Sequence, residues 1–578
     1  MKLAIPDMNP TQLLKHFDCI SEVPDAVPRL RQFILELAVR GKLVEQDPND
    51  EPAAELIKRI RAEKARLVKH GKIKESKPLA ITDSDNGLYK IPKNWKWVQL
   101  GESVNSHFGG GTPSKNNSTY WDGDIFWASV KDVGKGKYID DTIDRISQAG
   151  LTDSSSNLIP PGNLIVVTRM GLGKISINRV PIAINQDLRA LSLSSLAAID
   201  YYYIFFKTHG FEGTGLTVKG IKVEELMNIA FPLPPLAEQH RIVAKVDELM
   251  ALCDQLEAAK TDREQSRDRL VAASLQRLNQ PADDEETFRE DAHFTFNHLP
   301  RITTRLAHIK QLRQTILNLA VRGKLVEQDP KDEPAAELLK RIWAEKIIRL
   351  TPRHQIANGE NTDIAKEINF ASPQGWRFVR FVDYALDIST GPFGSALHQS
   401  DYILDGVPLV NPSHMVNDRI IPDRKVTISE DTANRLATYR MRVGDIVMAR
   451  RGEVGRAAIV SMVEEGWLCG TGSFFVRFND EIFRKYILLL LRSDSVRKYL
   501  SGEAVGTTMV NLNHGILKKM PLAIPPLAEQ HRIVAKVDEL MALCDQLEAQ
   551  LTTTEADSRR LLEAVLHETL SPPLAEAA

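Results

Sequence analysis

The sequence predicts two mixed α/β (α+β) domains in tandem, each followed by a long helix. Three observations lead there. Residues 234–258 read PPLAEQHRIVAKVDELMALCDQLEA, and residues 525–549 repeat those 25 residues without a change. A second pair lies upstream, where Leu37 to Ile60 (LAVRGKLVEQDPNDEPAAELIKRI) recurs at Leu319 to Ile342, differing only at Asn49/Lys331 and Ile57/Leu339. Between the paired segments lie two inserts of similar length that mostly differ. A duplicated frame around divergent inserts is a repeat on the scale of half the chain, not a solenoid of short units.

The first segment, 1–87, opens on the shorter repeat. Leu30, Phe33, Ile34 and Leu37 share one helical face, Asp47 to Pro52 reads as a turn, and Leu56, Ile57 and Ile60 resume the stripe. Ser76 to Gly87 is expected to be a loop leading into the first domain, 88–233. That insert starts Trp95-Lys96-Trp97-Val98, and its counterpart starts Trp376-Arg377-Phe378-Val379. Each later carries a short apolar strand ending in a turn. Gly162 to Arg169 (GNLIVVTR) aligns with Gly444 to Arg451 (GDIVMARR), and Gly173-Lys174 aligns with Gly455-Arg456. The inserts are therefore expected to share a fold although most residues differ.

Residues 234–279 form the first long helix. Ile242, Val246, Leu249, Cys253 and Leu256 step by four and three, the seam of a coiled coil. Pro-Pro marks its start, where lost amide donors cost least. Forty residues at 1.5 Å each would run roughly 60 Å. Residues 280–311 are expected to be a linker, because Gln280 to Asp291 (QPADDEETFRED) is acidic. The pattern then repeats: a helical segment at 312–372 with a loop at Thr351 to Asn369, a second domain at 373–524, and a second long helix at 525–578 carrying Ile533, Val537, Leu540, Cys544, Leu547 and Leu551.

Composition excludes several functions. No apolar run approaches the length that spans a bilayer, and MKLAIPDMNP lacks a signal-peptide core. The expectation is a cytoplasmic protein. The four cysteines form no C-x-x-C pair, which argues against structural zinc. The formal net charge is −2. Residues 95–231 hold 13 basic against 13 acidic side chains, and residues 376–519 hold 19 against 16, so any anion contact must come from local clustering.

No catalytic centre is legible. Gly171-Leu-Gly-Lys174 lacks the upstream Gly and the Ser or Thr of a phosphate loop, and Gly109 to Lys115 (GGGTPSK) has no Gly before its Lys. Asp122, Asp124 and Lys131 read as solvated loop charges rather than a nuclease triad. The string nearest to an adenine-methyltransferase motif, Asn411-Pro412-Ser413-His414, does not fit it.

What remains is recognition chemistry. Arg169, Lys174, Arg450, Arg451 and Arg456 sit around the turn after a strand. Basic side chains there can position phosphates, and an Arg can grip guanine bidentately. They also suit surface solubility or a salt bridge. The polar loops Gly109 to Ser118, Gly391 to Ser400 and Gly506 to His514 suit base-edge reading, or plain connection. With the 411–414 string they add Thr112, Ser114, Lys115, Ser395, Asn411, His414, Asn511 and Asn513 to the candidate DNA contacts.

The chain resembles the specificity subunit of type I restriction-modification systems. The resemblance is carried by the doubled PPLAEQHRIV box at 234 and 525, the Trp-aromatic openings at 95 and 376, and the paired LAVRGKLVEQ segment. The GGGTPSK loop followed by Tyr120-Trp121-Asp122-Gly123-Asp124-Ile125 adds to it. It covers nearly the whole chain. It implies that each insert is a target recognition domain reading one half of a split site in double-stranded DNA. It also implies a long antiparallel helical coiled coil that separates the two domains, with the whole chain pseudo-twofold. Two modification subunits, which bind S-adenosylmethionine and methylate adenine N6, and restriction subunits, which use ATP and Mg²⁺, would be its partners. The specificity subunit binds no cofactor and catalyses nothing. Half-sites about one helical turn apart lie roughly 34 Å from each other on one face of DNA. Reaching the adenine requires base flipping by the methylating partner.

Overall fold

The computed structural model describes residues 23–75, 89–211, 220–280, 285–349, 364, 368, 370–392, 396–452, 455–502 and 512–570. The chain forms two compact units, Met1–Asp262 with Glu555–Ala578, and Arg263–Thr554.

In the first unit, α1 (Ala26–Val39) and α2 (Ala53–Lys69) are joined by the predicted turn. Their stripes Ile34, Ala38, Leu56, Ile57 and Ile60 are buried in the main core. Gly41 ends the first stripe at φ +68, and a Cβ there would lie 2.4 Å from the Pro92 ring and 3.2 Å from Trp95. Only glycine meets both demands. Gly323 repeats this at φ +68 against Pro373 and Trp376.

The insert begins at β1 (Lys96–Gln99), and its last strand β11 (Ala230–Leu233) pairs antiparallel with it, Lys96 opposite Leu233. The two ends of the insert are thus stapled together. After β1 come the short helix α3 (Leu100–Ser103) and β2 (Val104–Gly109). The remaining strands are β3 (Trp121–Ala128), β4 (Tyr138–Ile139), β5 (Asp144–Ile146), β6 (Leu158–Ile159), β7 (Leu164–Val167), β8 (Ile175–Asn178), β9 (Ile182–Ile184) and β10 (Leu188–Leu193). One sheet has the order β2-β10-β7-β8-β4 and the other β5-β3-β9-β6. The aromatic helix α4 (Ile199–Thr208) buries Tyr201, Tyr202, Phe205 and Phe206 in the main core.

Helix α5 (Leu236–Asn279) runs 44 residues, and its residues 263–279 belong to the second unit. The predicted seam is buried at Ile242, Val246 and Cys253, which join the same core as α1 and α2. Arg31 of α1 clasps Asp254 and Glu257 at 2.7 and 2.8 Å.

The second unit repeats the plan. The acidic stretch expected to be a linker is instead mostly helix, α6 (Glu285–Ile302). Phe288, Asp291, Ala292, Thr295 and His298 are its less exposed positions, at helical spacing. Asp291 meets Arg277 at 3.2 Å. Then come α7 (Leu306–Val321) and α8 (Ala335–Arg349). The ladder β12 (Arg377–Arg380) with β23 (Pro521–Ile524) again closes the insert, Arg377 opposite Ile524. Inside it are β13 (Asp387–Thr390), β14 (Tyr402–Ile403), β15 (Val407–Val410), β16 (Met415–Val416), β17 (Arg419–Ile420), β18 (Thr427–Ile428), β19 (Ile446–Ala449), β20 (Ala457–Ile459), β21 (Leu468–Cys469) and β22 (Ser473–Arg477). They form sheets β13-β22-β19-β20 and β14-β18-β15-β21 and a β16-β17 hairpin. Helix α9 (Arg484–Arg492) takes the place of α4. Further on, α10 (His514–Lys519) precedes β23, and the second long helix is α11 (Leu527–Leu570), also 44 residues.

Each unit therefore holds the opening of its own long helix and the end of the other. In the second unit Val271 and Leu275 of α5 join Ile309, Leu312 and Ile316 of α7. In the first, Leu562 and Val565 of α11 join Val23 and Ala26. The expected loops at 76–87 and 351–363 fall outside the described residues, and no helix among the described residues is long and apolar enough to cross a membrane.

Candidate nucleic-acid interface

The identical box at each long-helix start is a clamp. Gln239 donates from Nε2 to Pro234 O at 3.0 Å and accepts from Ala198 N at 3.0 Å. Arg241 grips Asp50 with two bonds, 3.2 and 2.7 Å. In the second unit Gln530 donates to Pro525 O at 3.0 Å, and Arg532 grips Asp332 at 3.2 and 2.6 Å. Trp376 Nε1 donates to Glu529 Oε2 at 3.0 Å. The box thus fixes helix, short repeat and insert to one another.

Held on that clamp, the first insert offers a polar patch at one end of its β2-to-β4 sheet. Thr168 N donates to Asp187 O, and Ile221 N donates to Thr168 O, both at 2.9 Å. Arg169, next along, bridges to Gly220 and lies half-exposed with Nε 3.7 Å from Asp187 Oδ1. The GGGTPSK loop is strapped to the same place. Gly111 N donates to Ile184 O at 3.0 Å, and a Cβ on Gly110 would sit 1.8 Å from that oxygen. Thr112 Oγ1 then bonds Gln186 Oε1 at 2.5 Å. Thr112, Gln186, Asp187 and Arg169 form one cluster. Ser114 and Lys115 are exposed further along the loop, where Trp121 Nε1 donates to Ser114 O at 3.2 Å. Lys174 is exposed on the facing limb of the β7–β8 hairpin.

The second insert builds the corresponding patch from different side chains. Arg450 N donates to Gly472 O, and Leu512 N donates to Arg450 O, both at 2.9 Å. These are the bonds of Thr168 in the other copy. Arg450 Nε also donates to Leu512 O at 3.2 Å, and its guanidinium lies 5.9 Å from the centre of the Phe474 ring. Burial, and then the Arg451 charge, push the Arg450 pKa down. Arg451 is exposed, and Arg456 Nη1 donates to Pro412 O at 3.2 Å, which brings Asn411 alongside.

One expected contact is corrected. His414 is buried, and its Nδ1 lies 3.0 Å from Leu409 O and 3.3 Å from Asn411 N. The 411–414 string makes a single helical turn that rotates the ring inward, so it is not available to a ligand. Asn513 is exposed, but its side-chain oxygen accepts from Ile516 N at 2.9 Å and caps α10. Ser395 and Asn511 lie outside the described residues. Gln186 has no local signal in the sequence, since its partner Thr112 is 74 positions away.

Among the described residues no group of three or more His, Cys, Asp or Glu could hold a metal ion. The patches offer cations, amides, hydroxyls and the Asp187 carboxylate.

The family model described as the type I restriction modification DNA specificity domain matches residues 92–263 and 394–554. The EcoEI type I restriction enzyme specificity subunit of Escherichia coli is 30% identical over 573 residues, 93% of each chain. The EcoAI specificity subunit of the same organism is 29% identical over 572 residues, again 93% of each. Among solved structures, the crystal structure of the HsdS subunit from Thermoanaerobacter tengcongensis is 20% identical, with a TM-score of 0.41, covering 84% of this chain and 99% of that one.

Proposed function

This chain belongs to the type I restriction modification DNA specificity family, and from that premise we propose that each of its two inserts reads one half of a split site in double-stranded DNA. The chain is a DNA sequence-specificity subunit and a non-catalytic part of its complex. The observation that carries the bipartite reading is the pairing of identical clamps with unlike patches. Gln239 and Gln530, and Arg241 and Arg532, make the same bonds. The patches they support present Arg169 and Thr112 in one copy and Arg450, Arg451 and Arg456 in the other. Equivalent placement with different side chains suits two different half-sequences.

The proposed partners are two modification subunits, which bring S-adenosylmethionine to an adenine in each half-site, and restriction subunits, which bring ATP and Mg²⁺. The chain itself holds none of these, and the complex works in the cytoplasm. Phosphate contacts from the basic side chains would supply affinity, and base-edge contacts the discrimination. The long helices, at 1.5 Å per residue, would set the unread gap.

The test exchanges residues 95–231 for the matching insert of a relative, so that the donor supplies β1 and the start of β11, whose ladder is made by backbone bonds, and the recipient keeps Gln239, Arg241 and Asp50. Adenine methylation is then mapped in a host supplying the partners. The expected outcome is a new sequence in one half-site with the other half unchanged. Changes in both halves would overturn the reading.

A further inference from the structure

Arg189 of β10 is used by nothing described above. It sits opposite Gly109 in the β10–β2 ladder, at the patch end of the first sheet. The guanidinium is half-buried, and burial pushes its pKa down. Its Nε is buried with no hydrogen-bond partner among the described residues. No carboxylate among those residues pairs with it, since Asp187, two residues away, is turned towards Arg169. The strand makes room for this charge: a Cβ on Gly109 would stand 2.5 Å from Arg189 Nη1. Its neighbours are cationic or neutral, and the Arg189 and Lys64 charges both depress the pKa of the exposed His107, after burial. A half-buried cation without an anion is costly unless something supplies one.

The second insert places a guanidinium at the same end of its sheet, from another strand. Val167 pairs with Leu188 and Ala449 with Ser473, so the position equivalent to Arg189 is Phe474. Over that ring lies Arg450, with His514 on the same ring at 5.2 Å. His514, like His107 beside Arg189, has its pKa lowered by burial and by nearby cations. Both inserts therefore end in an arginine and a histidine set against the helix-covered face, although no residue is shared.

We propose that Arg189 is a DNA-backbone contact of the first insert, its recessed guanidinium taking a phosphate at the edge of the half-site. The class of ligand follows from its place. Lying against Gly109 and half-buried, the group presents only part of its edge, which suits a phosphate settling onto it better than a reach to base edges in a groove. The inference rests on the proposed DNA reading and adds a residue to it.

The experiment measures binding of the full chain, with its modification partners, to a duplex carrying the methylated site and to an unrelated duplex, across salt concentrations. Arg189→Gln is expected to weaken both duplexes alike, by about tenfold at low salt, and to reduce the slope of log K against log salt by about 1. Arg189→Lys should recover most of the slope, because a phosphate accepts either cation. Loss confined to the methylated site, with relaxed choice at one base, would make Arg189 a base contact and overturn the proposal. Unchanged affinity and slope in Arg189→Gln would overturn it also. If Arg189→Gln misfolds, Arg189→Met, which keeps the apolar stem and removes the charge, decides on the folded fraction: a slope reduced by about 1 supports the contact, and an unchanged slope overturns it. Failure of the unaltered chain to bind either duplex would instead sink the DNA reading itself.

Discussion

Replacing Glu529 by Gln should make the second unit less sensitive to alkali. Glu529 is 1% exposed, at the start of α11. One carboxylate oxygen accepts from Trp376 Nε1 at 3.0 Å, and the other has no hydrogen-bond partner among the described residues. Burial pushes its pKa up to about 7, against the pull of the Trp376 bond and the Arg532 charge. The folded form thus holds its proton more tightly than the unfolded chain, whose carboxyl titrates near 4.5. Stability from this group is complete below the unfolded value and is lost as pH rises through about 7. At about 1.4 kcal/mol per tenfold change in proton affinity the whole effect is about 3 kcal/mol, of which about 2 falls between pH 5.5 and 8.5. Gln keeps an oxygen for Trp376 and carries no charge. Urea unfolding over that pH range, with hydrogen exchange in the first turns of α11 to locate the change, should show the unaltered chain losing about 2 kcal/mol relative to Glu529→Gln. Parallel pH profiles for the two would refute the reasoning.

Five other substitutions test the frame and the patch. Ile533→Ala empties a fully buried site at the top of the α11 seam, and should cost about 3 kcal/mol by urea unfolding, with Ile242→Ala matching it in the first unit. Lys346→Met removes the ammonium that donates to Val382 O and, at 2.9 Å, to Ala385 O. With those carbonyls left unpaired, the loss should be about 2 kcal/mol in the same assay, and a neutral result would show that water replaces the ammonium. Gly110→Ala drives a Cβ to within 1.8 Å of Ile184 O. It should lower the melting temperature and weaken DNA binding, while Gly136→Ala, which meets nothing within 4 Å, should do neither.

The frame was legible because its signals are local. The Pro-Pro starts, the four-three spacing of Ile242 to Leu256 and the turn at Asp47 to Pro52 each specify one element, and duplication states them twice. The use of the seam was less legible. Ile242, Val246 and Cys253 join the core that α1 and α2 share, and an apolar stripe looks the same whichever helix covers it. Composition misled at Gln280 to Asp291, where a run of acids masks the helical spacing of Phe288, Ala292 and Thr295. The patch was legible only as a turn after a strand. Arg169 and Arg451 were found there, but pairings such as Thr112 with Gln186 depend on sheet order, which spacing along the chain does not encode. His414 reads as a ligand in a polar string and is turned inward by a single helical turn.

The distribution of identity between the two halves has a mechanical explanation. Every identical side chain of the clamp bonds to something that must stay put: Gln239 and Gln530 to the backbone before the helix, Arg241 and Arg532 to the short repeat. Arg31 and Arg313 grip the matching acids of the long helices, 2.7 and 2.8 Å in one copy and 2.6 and 2.8 Å in the other. The inserts meet this frame through the β1–β11 and β12–β23 ladders, whose bonds are made by backbone and tolerate different side chains. A patch at the far end of a sheet can then change without disturbing the clamp. The same end of the sheet receives its guanidinium from β10 in one copy and from beyond β19 in the other. That outcome is expected when position is held by the frame and the sequence at that position is left to vary.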